Sequence, residues 1–311
     1  MARFQKFRRL SPQTVIGILL VVIFIETAAL IQMSRDRHPA SKTDRRRPGA
    51  VAQAPKPSKA DAKKEKAWQQ QVKLTPPKPP GIPLLPAGRK AGKIAIIIDD
   101  SGYNIRDCDH LRETAGPVTI SILPNLEYST KISECAAGAG KGVMLHLPME
   151  AHHDEESYPR GYIIKTTMSA KDAVDRFHEA LRSVPDAEGI NNHTGSKATE
   201  NQRLMSIIFT ELKNNGLFFV DSRVTSKSVC PQLARKMRLP FAGRDVFLDN
   251  LNNRVYIEQQ FRELAEKARK NGRAIGICHA RELTWDILKE QIPKLQAEGF
   301  EIILAKDLVV R

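Results

Sequence analysis

Residues 93–101, KIAIIIDDS, decide the fold of this chain. The run Ile94–Ile98 contains no polar residue, so a strand formed by it is apolar on both faces. Strands of this kind lie inside parallel sheets that are covered by helices. The run therefore predicts a central parallel strand, and it ends in two adjacent carboxylates, Asp99 and Asp100.

Short β-branched runs and helical stretches alternate from this strand to the C-terminus. Further strands are predicted at 118–123, 142–147, 188–192, 217–221, 246–248, 274–278 and 301–304, and helices at 129–138, 169–183, 200–214, 255–271 and 284–296. Ser129 and Ser169 are predicted N-caps, and Gly216, Gly272 and Gly299 follow a last helical turn. Seven or eight such units predict an α/β fold, namely a distorted (β/α)7–8 barrel of mostly parallel strands.

The N-terminal 33 residues carry an apolar run, Thr14–Met33, after a basic start. Twenty helical residues rise about 30 Å, which is the thickness of a bilayer's hydrocarbon core. Residues 1–33 therefore predict an uncleaved transmembrane signal-anchor, with a single pass through the inner membrane and a periplasmic C-terminal domain. The alternatives are a cleaved signal peptide and a buried soluble helix.

Residues 34–92 separate this run from the predicted barrel at 93–311. They contain ten of the chain's 19 prolines and almost no core-forming residues, which predicts a disordered linker. Residues 1–93 hold 20 of the 49 Lys and Arg but only 5 of the 35 Asp and Glu, so the rest of the chain is nearly neutral. Nucleic acid is therefore not an expected partner, because phosphate binding needs clustered positive charge on the folded surface.

The four cysteines form no CxxC pair. They indicate neither a zinc knuckle nor a dense disulfide framework.

Polar side chains follow six of the predicted strands. The carboxyl ends of parallel strands meet at one face of a barrel, so we expect these side chains to share a site. They are Asp99, Asp100, His146, Glu150, Asn191, Asn192, His193, Asp221, Ser222, Arg223, Arg244, Asp245, Asp249, His279 and Arg281.

Three histidines and several carboxylates at one face fit a zinc site. Zinc accepts imidazole nitrogen and carboxylate oxygen in a tetrahedral arrangement that leaves one position for water. A carboxylate that is not a ligand can take the water's proton, and an imidazolium opposite can protonate a leaving group. The pattern is typical of hydrolysis.

Six blocks, taken in order, resemble the divergent polysaccharide deacetylases, which are distant relatives of the chitooligosaccharide deacetylases. The blocks are IIIDDSGYN (96–104), LHLPME (145–150), GINNHTGS (189–196), FVDSR (219–223), FLDN (247–250) and GICHAR (276–281). The resemblance covers about residues 93–311. It implies a distorted (β/α) barrel with a divalent metal, usually zinc, that hydrolyses N- or O-acetyl groups on a polysaccharide or peptidoglycan-like glycan. It also implies that Asp99 is the base and Asp100 a metal ligand.

The chain departs from the main family, in which a His-x-x-x-His pair supplies two metal ligands. Lys197 stands four residues after His193, and Glu150 four residues after His146. We expect His146 and His193, from neighbouring strand ends, to complete the site with Asp100.

His279 matches the acid of the family's late motif. Asp221 or Arg281 is expected to orient it. The residues predicted to bind substrate or to orient other groups are Glu150, Asn192, Asp221, Arg223, Asp249 and Arg281.

The predicted function is therefore a metal-dependent carbohydrate deacetylase of the cell envelope. The alternative is a catalytically inactive glycan-binding or envelope scaffold protein that keeps the deacetylase fold.

Overall fold

Nine strands and seven α-helices make up the computed structural model over the residues that it describes, 91–153 and 162–310. The strands are β1 (Gly92–Ser101), β2 (Thr119–Ile122), β3 (Gly142–Met149), β4 (Gly189–Thr194), β5 (Phe218–Asp221), β6 (Phe241–Gly243), β7 (Val246–Phe247), β8 (Arg273–His279) and β9 (Phe300–Ile303). The helices are α1 (Asp107–Glu113), α2 (Ser129–Gly138), α3 (Ala170–Arg182), α4 (Gln202–Asn214), α5 (Cys230–Met237), α6 (Arg254–Asn271) and α7 (Glu282–Ala297).

The strands form one sheet in the order β6-β5-β4-β3-β2-β1-β8-β7, and the pairs along it are parallel. The two edge strands, β6 and β7, are separated in the chain only by Arg244 and Asp245. This short link joins the two ends of the sheet. The prediction of a (β/α) barrel with parallel strands is confirmed.

Strand β1 holds the centre of the sheet because it has three neighbours. Along one side it pairs with β8 from Lys93 to Asp99. Along the other side, β9 pairs with its first half and β2 with its second half. The continuous apolar run 94–98 is thus enclosed on both faces and both edges.

The side chains of the strands alternate between two apolar clusters. One cluster lies between the sheet and the helices, and it contains residues 94, 96 and 98 of β1. The other lies inside the sheet's curve, and its buried members are Ala95, Ile97, Met144, Phe218, Val220, Ile275, Ile277, Ile303, Ala305 and Leu308. The same alternation aims Asp99, His146, Asn191, His193 and His279 at the inner side, beyond the carboxyl end of this inner cluster.

The helices begin mostly as their capping residues predict. Ser169, Asn201 and Asn253 each accept a hydrogen bond from a backbone N–H in the first turn, and Gly272 ends α6 with a φ of 76°. The prediction of Ser129 as an N-cap is wrong, because Tyr128 occupies that position. The Ser129 hydroxyl instead donates to the Leu123 carbonyl (2.6 Å) and accepts from the Leu126 amide (3.0 Å).

Three short elements were not predicted, namely α1, α5 and β6. Helix α1 carries five charged or histidine residues among its seven, α5 has a proline in its first turn, and β6 has three residues. Periodicity over so few residues is a weak signal, and each element is held by packing on its neighbours.

No helix within the described ranges is long and apolar enough to cross a membrane. The predicted anchor at 14–33 and the predicted linker at 34–92 lie almost wholly outside the described residues.

Behind the carboxyl end of β1, helix α1 places an acidic group in the protein interior. Asp107 is 4% exposed, and its Oδ2 accepts a hydrogen bond from the Ser101 hydroxyl at 2.5 Å. Burial raises the pKa of Asp107 to about 6, and Ser101 and His110 oppose the rise only in part. The folded protein therefore holds a proton on Asp107 more tightly than the unfolded chain does.

We predict that the stability of Asp107→Asn, compared with that of the wild type, increases as the pH rises. Between about pH 4 and pH 6 the folded state of the wild type binds the extra proton, so its stability falls as the pH rises through this range. The difference in unfolding free energy between the variant and the wild type should shift by about 2–3 kcal/mol in the variant's favour. Urea unfolding of both proteins at pH 4.5 and pH 7 measures it. Asp109→Asn, on the exposed side of α1, is the control, and a difference that does not change with pH would contradict the prediction.

Candidate metal centre

A bulge in β1 brings two neighbouring carboxylates to the same side of the sheet. Residues that follow one another in a regular strand face opposite sides. The register of β1 against β2 shifts between Ile98 and Ser101, and Asp100 has a φ of 61°. Aspartate tolerates this left-handed backbone better than most residues do. Asp100 therefore turns towards the inner side, where Asp99 already lies.

Three side chains from three strands meet at this bulge. The Oδ1 of Asp100 lies 3.2 Å from Nε2 of His146 and 3.0 Å from Nδ1 of His193. The two imidazole nitrogens are 3.1 Å apart, and their rings meet edge to face. Within the described part of the chain, this is the group of His, Cys, Asp and Glu side chains whose ligand atoms cluster closely enough for a metal ion, all within 4.8 Å.

The triangle of donor atoms fits a zinc ion. Bonds of about 2.0–2.1 Å in a tetrahedral arrangement put neighbouring ligand atoms about 3.3–3.4 Å apart. The observed separations of 3.0–3.2 Å are slightly shorter than this. Two imidazole nitrogens and one carboxylate oxygen are also ligands that zinc prefers, and three of them leave a fourth position open.

The two adjacent aspartates have opposite pKa shifts. Burial raises the pKa of Asp99, and the neighbouring charge of Asp100 adds to the rise, while His146 opposes it. For Asp100 burial also acts to raise the pKa, but His193 and His146 outweigh it and hold the pKa well below its ordinary value. Asp100 is therefore suited to remain an ionised ligand, and Asp99 to accept a proton.

His279 faces the two aspartates from β8. It pairs with Asp99 in the sheet register, and its Nε2 lies 3.7 Å from Oδ2 of Asp100. Its Nδ1 donates to Oδ1 of Asp249 at 2.9 Å, and Asp249 Oδ2 accepts from the His279 amide and the Thr284 hydroxyl. Burial acts to lower the pKa of His279, but Asp249 outweighs it and raises the pKa to about 9.

Asp249 therefore orients His279, which corrects the expectation that Asp221 or Arg281 does so. Asp221 accepts a hydrogen bond from the Ser228 hydroxyl (2.7 Å). The Arg281 guanidinium contacts Asp249, because its Nη1 donates to the Asp249 backbone carbonyl (2.9 Å) and lies 3.8 Å from the Asp249 Oδ2. Asp249 was predicted only within the larger group of binding or orienting residues.

The structure places Glu150 beside the centre rather than in it. One carboxylate oxygen accepts from the amide and hydroxyl of Thr166, and the other accepts from Nζ of Lys197 at 2.7 Å. These contacts tie the end of β3 to the loops before α3 and α4. Burial acts to raise the pKa of Glu150, but Lys197 and Thr166 lower it overall.

Asn192 and Arg223 likewise make contacts away from the centre. Asn192 Oδ1 accepts from the Ser222 amide and its Nδ2 donates to the Thr194 carbonyl, which ties the ends of β4 and β5 together. Arg223 Nη1 donates to the backbone carbonyl of Arg244 (2.8 Å).

Two residues of the site had no predicted role: Asn191, which was expected at this face of the barrel without a role, and Ser121, which was not predicted at all. The Nδ2 of Asn191 donates to Asp99 Oδ1 at 2.8 Å, and its Oδ1 lies 2.7 Å from Nδ1 of His146 and accepts from the Ser121 hydroxyl. The alternation of side chains along GINNHT indicates Asn191, because Asn191 shares a strand face with His193 whereas Asn192 does not. Ser121 lies inside a buried strand and has no comparable signal.

Comparison with known proteins gives relatives by sequence and by structure. A protein of Haemophilus influenzae described as uncharacterized is 33% identical over 203 residues, which are 65% of this chain and 72% of that protein. The uncharacterized protein YibQ of Escherichia coli K12 is 30% identical over 205 residues, 66% of this chain and 64% of YibQ. The crystal structure of an uncharacterized protein from Agrobacterium tumefaciens C58 matches with a TM-score of 0.67 at 21% identity, covering 73% of this chain and 92% of that one.

The family model described as divergent polysaccharide deacetylase matches residues 96–309. This range runs from the second half of β1 to the end of the described chain, and it includes all the residues placed at the candidate metal centre. The chain belongs to the divergent polysaccharide deacetylase family.

Proposed function

We propose that this protein is a metal-dependent hydrolase that removes N- or O-linked acetyl groups from a carbohydrate polymer of the cell envelope. The observation that carries the proposal is the triangle of Asp100, His146 and His193, with their ligand atoms 3.0–3.2 Å apart. Asp99 and His279 flank it. Family membership supports the carbohydrate substrate, and the donor set favours zinc over magnesium or calcium, which prefer oxygen ligands throughout.

Asp99 is the proposed base. Asp100, His146 and His193 would hold a divalent cation, which would supply Lewis acidity to polarise the acetyl carbonyl and to acidify a water molecule. The carboxylate of Asp99 takes the proton of the attacking water, and burial of this carboxylate acts to raise its pKa. Asn191 holds one oxygen of Asp99 and leaves the other directed at the centre.

His279 is the proposed acid. Its Nδ1 proton is held by Asp249, so Nε2 is the atom that faces the site. The pKa of about 9 keeps the ring protonated at neutral pH. Nε2 can therefore give its proton to the amine or alcohol that leaves when the acetyl group is cleaved.

The proposed place of action is the periplasmic side of the inner membrane. The apolar run 14–33 supports an anchor, and the proline-rich, basic segment 34–92 supports a tether long enough to reach a peptidoglycan-like polymer. Membrane fractionation of cells that make the full chain, followed by protease treatment of spheroplasts, tests this location. We expect a membrane-bound protein that is cleaved without lysis. A protein protected until lysis would contradict it.

We predict that losing one ligand abolishes tight zinc binding. Asp100→Asn and His193→Ala should each weaken zinc binding by more than the roughly 10–100-fold that follows loss of a ligand's hydrogen-bond partner. Competition with a chromogenic chelator on the full chain measures the affinity. His178→Ala is the matched control, because this histidine pairs with Glu211 on the surface between α3 and α4. A wild-type chain without stoichiometric zinc, or a His193→Ala chain that keeps it, would contradict the centre.

We also predict that two variants keep zinc and lose turnover. Asp99→Asn and His279→Ala should each lower kcat for acetate release about 10²–10⁴-fold, because each removes one proton-transfer group. The assay measures acetate released by the zinc-loaded protein. Its substrates are acetylated chitooligosaccharides, peptidoglycan fragments and O-acetylated glycans. If the wild type binds zinc but releases no acetate from any of them, the hydrolase proposal fails, and the inactive glycan-binding alternative is then favoured.

A further inference from the structure

The amide of Asn191 lies between the proposed base and a proposed metal ligand. Asn191 is completely buried, and both ends of its side chain are used. Its Nδ2 donates to Oδ1 of Asp99 at 2.8 Å, and its Oδ1 lies 2.7 Å from Nδ1 of His146. The Ser121 hydroxyl donates to the same Oδ1 at 2.5 Å. Three strands, β1, β2 and β3, thus meet on one side chain of β4.

The direction of these bonds fixes where His146 carries its proton. An amide oxygen has no hydrogen to give, so the bond to His146 requires a proton on Nδ1. In the neutral ring, Nε2 then has the lone pair. Nε2 is the atom that lies 3.2 Å from Asp100 and 3.1 Å from His193, so the lone pair faces the position of the metal.

The orientation of the amide is itself determined by its other neighbours. A rotation of the amide by 180° would aim its oxygen at the carboxylate of Asp99, which accepts from Nδ2 in the observed orientation. The rotated contact between two oxygen acceptors would be repulsive in a site with little water to screen it. In the observed orientation the Ser121 hydroxyl also donates to the amide oxygen.

We propose that Asn191 is a positioning residue that holds His146 in the protonation state a metal ligand needs, with Ser121 as its support. This inference rests on the metal centre of the proposed function and adds a residue to it. The partner of a ligating imidazole commonly changes metal affinity about 10–100-fold. In most metal sites that partner is a carboxylate or a backbone carbonyl, and here it is a side-chain amide.

Two substitutions at the same position separate positioning from packing. Asn191→Asp keeps oxygen acceptors for His146 and Ser121 but replaces the donor to Asp99 with a second carboxylate oxygen, whereas Asn191→Leu keeps the number and branching of the side-chain heavy atoms and has no acceptor. We expect the Leu variant of the full chain to bind zinc about 10–100-fold more weakly than the wild type, and the Asp variant to bind zinc more tightly than the Leu variant because it keeps the acceptor for His146. Ser121→Ala should give a smaller loss than the Leu variant. The proposal would be overturned if the Leu variant bound zinc as tightly as the wild type. It would also be overturned if both Asn191 variants bound zinc equally weakly.

A second measurement needs no metal. Side-chain ¹H–¹⁵N spectra of the metal-free full chain, recorded at alkaline pH where the rings are neutral, report which nitrogen of His146 is protonated. We expect Nδ1–H in the wild type and in the Asp variant, and loss of this preference in the Leu variant. An unchanged Nδ1–H signal in the Leu variant would overturn the proposal.

Asn201→Ala is the control for both measurements. It removes an amide that caps α4 and should lower stability without changing zinc affinity or the His146 spectrum. If the wild type binds no zinc, the proposed metal centre fails, and the spectra alone then decide the role of Asn191.

Discussion

Two aspartates next to each other at the end of a buried strand repel one another, and the carboxyl end of this barrel is arranged around that repulsion. Asp99 and Asp100 face the same side because of the bulge in β1, so their charges are not separated by the sheet. Three histidines, from β3, β4 and β8, lie within 4 Å of the Asp100 carboxylate. Positive charge from imidazolium or from a metal ion, or a proton on Asp99, offsets the repulsion between the two carboxylates.

The way the imidazoles are supplied distinguishes this site from one built on a single local motif. In a His-x-x-x-His pair, the spacing along one short segment sets the distance between the ligands. Here His146 and His193 lie on separate strands, and the parallel register of β3 and β4 sets the distance, with His146 opposite Asn191 and Pro148 opposite His193. A shift of register by one residue would separate the two rings, so the metal centre depends on the whole sheet.

The sequence was sufficient to predict the alternation of strands and helices and the residues that cluster with Asp100. Both follow from strong local signals: continuous apolar runs, and polar residues where each run stops. It was not sufficient to choose Asp249 as the partner of His279 or Asn191 over Asn192. The partner of His279 depends on where the segment after β7 crosses β8, and the choice of asparagine depends on which strand face turns inward. The capping role of Ser129 failed because the turn after β2 uses its hydroxyl, which is a tertiary contact.

The position of β1 in the sheet has a consequence for how the chain is made. It is the first strand of the barrel to leave the ribosome, but two of its three partners, β8 and β9, are among the last. Pairing of strands so far apart in the chain is slow, because the entropy of loop closure is lost before any contact between the strands forms. Until about residue 303 is available, the most apolar strand of the protein has an open edge, which is a template for association between nascent chains. Strand β1 is therefore the segment that we expect a holding chaperone to bind in the nascent chain.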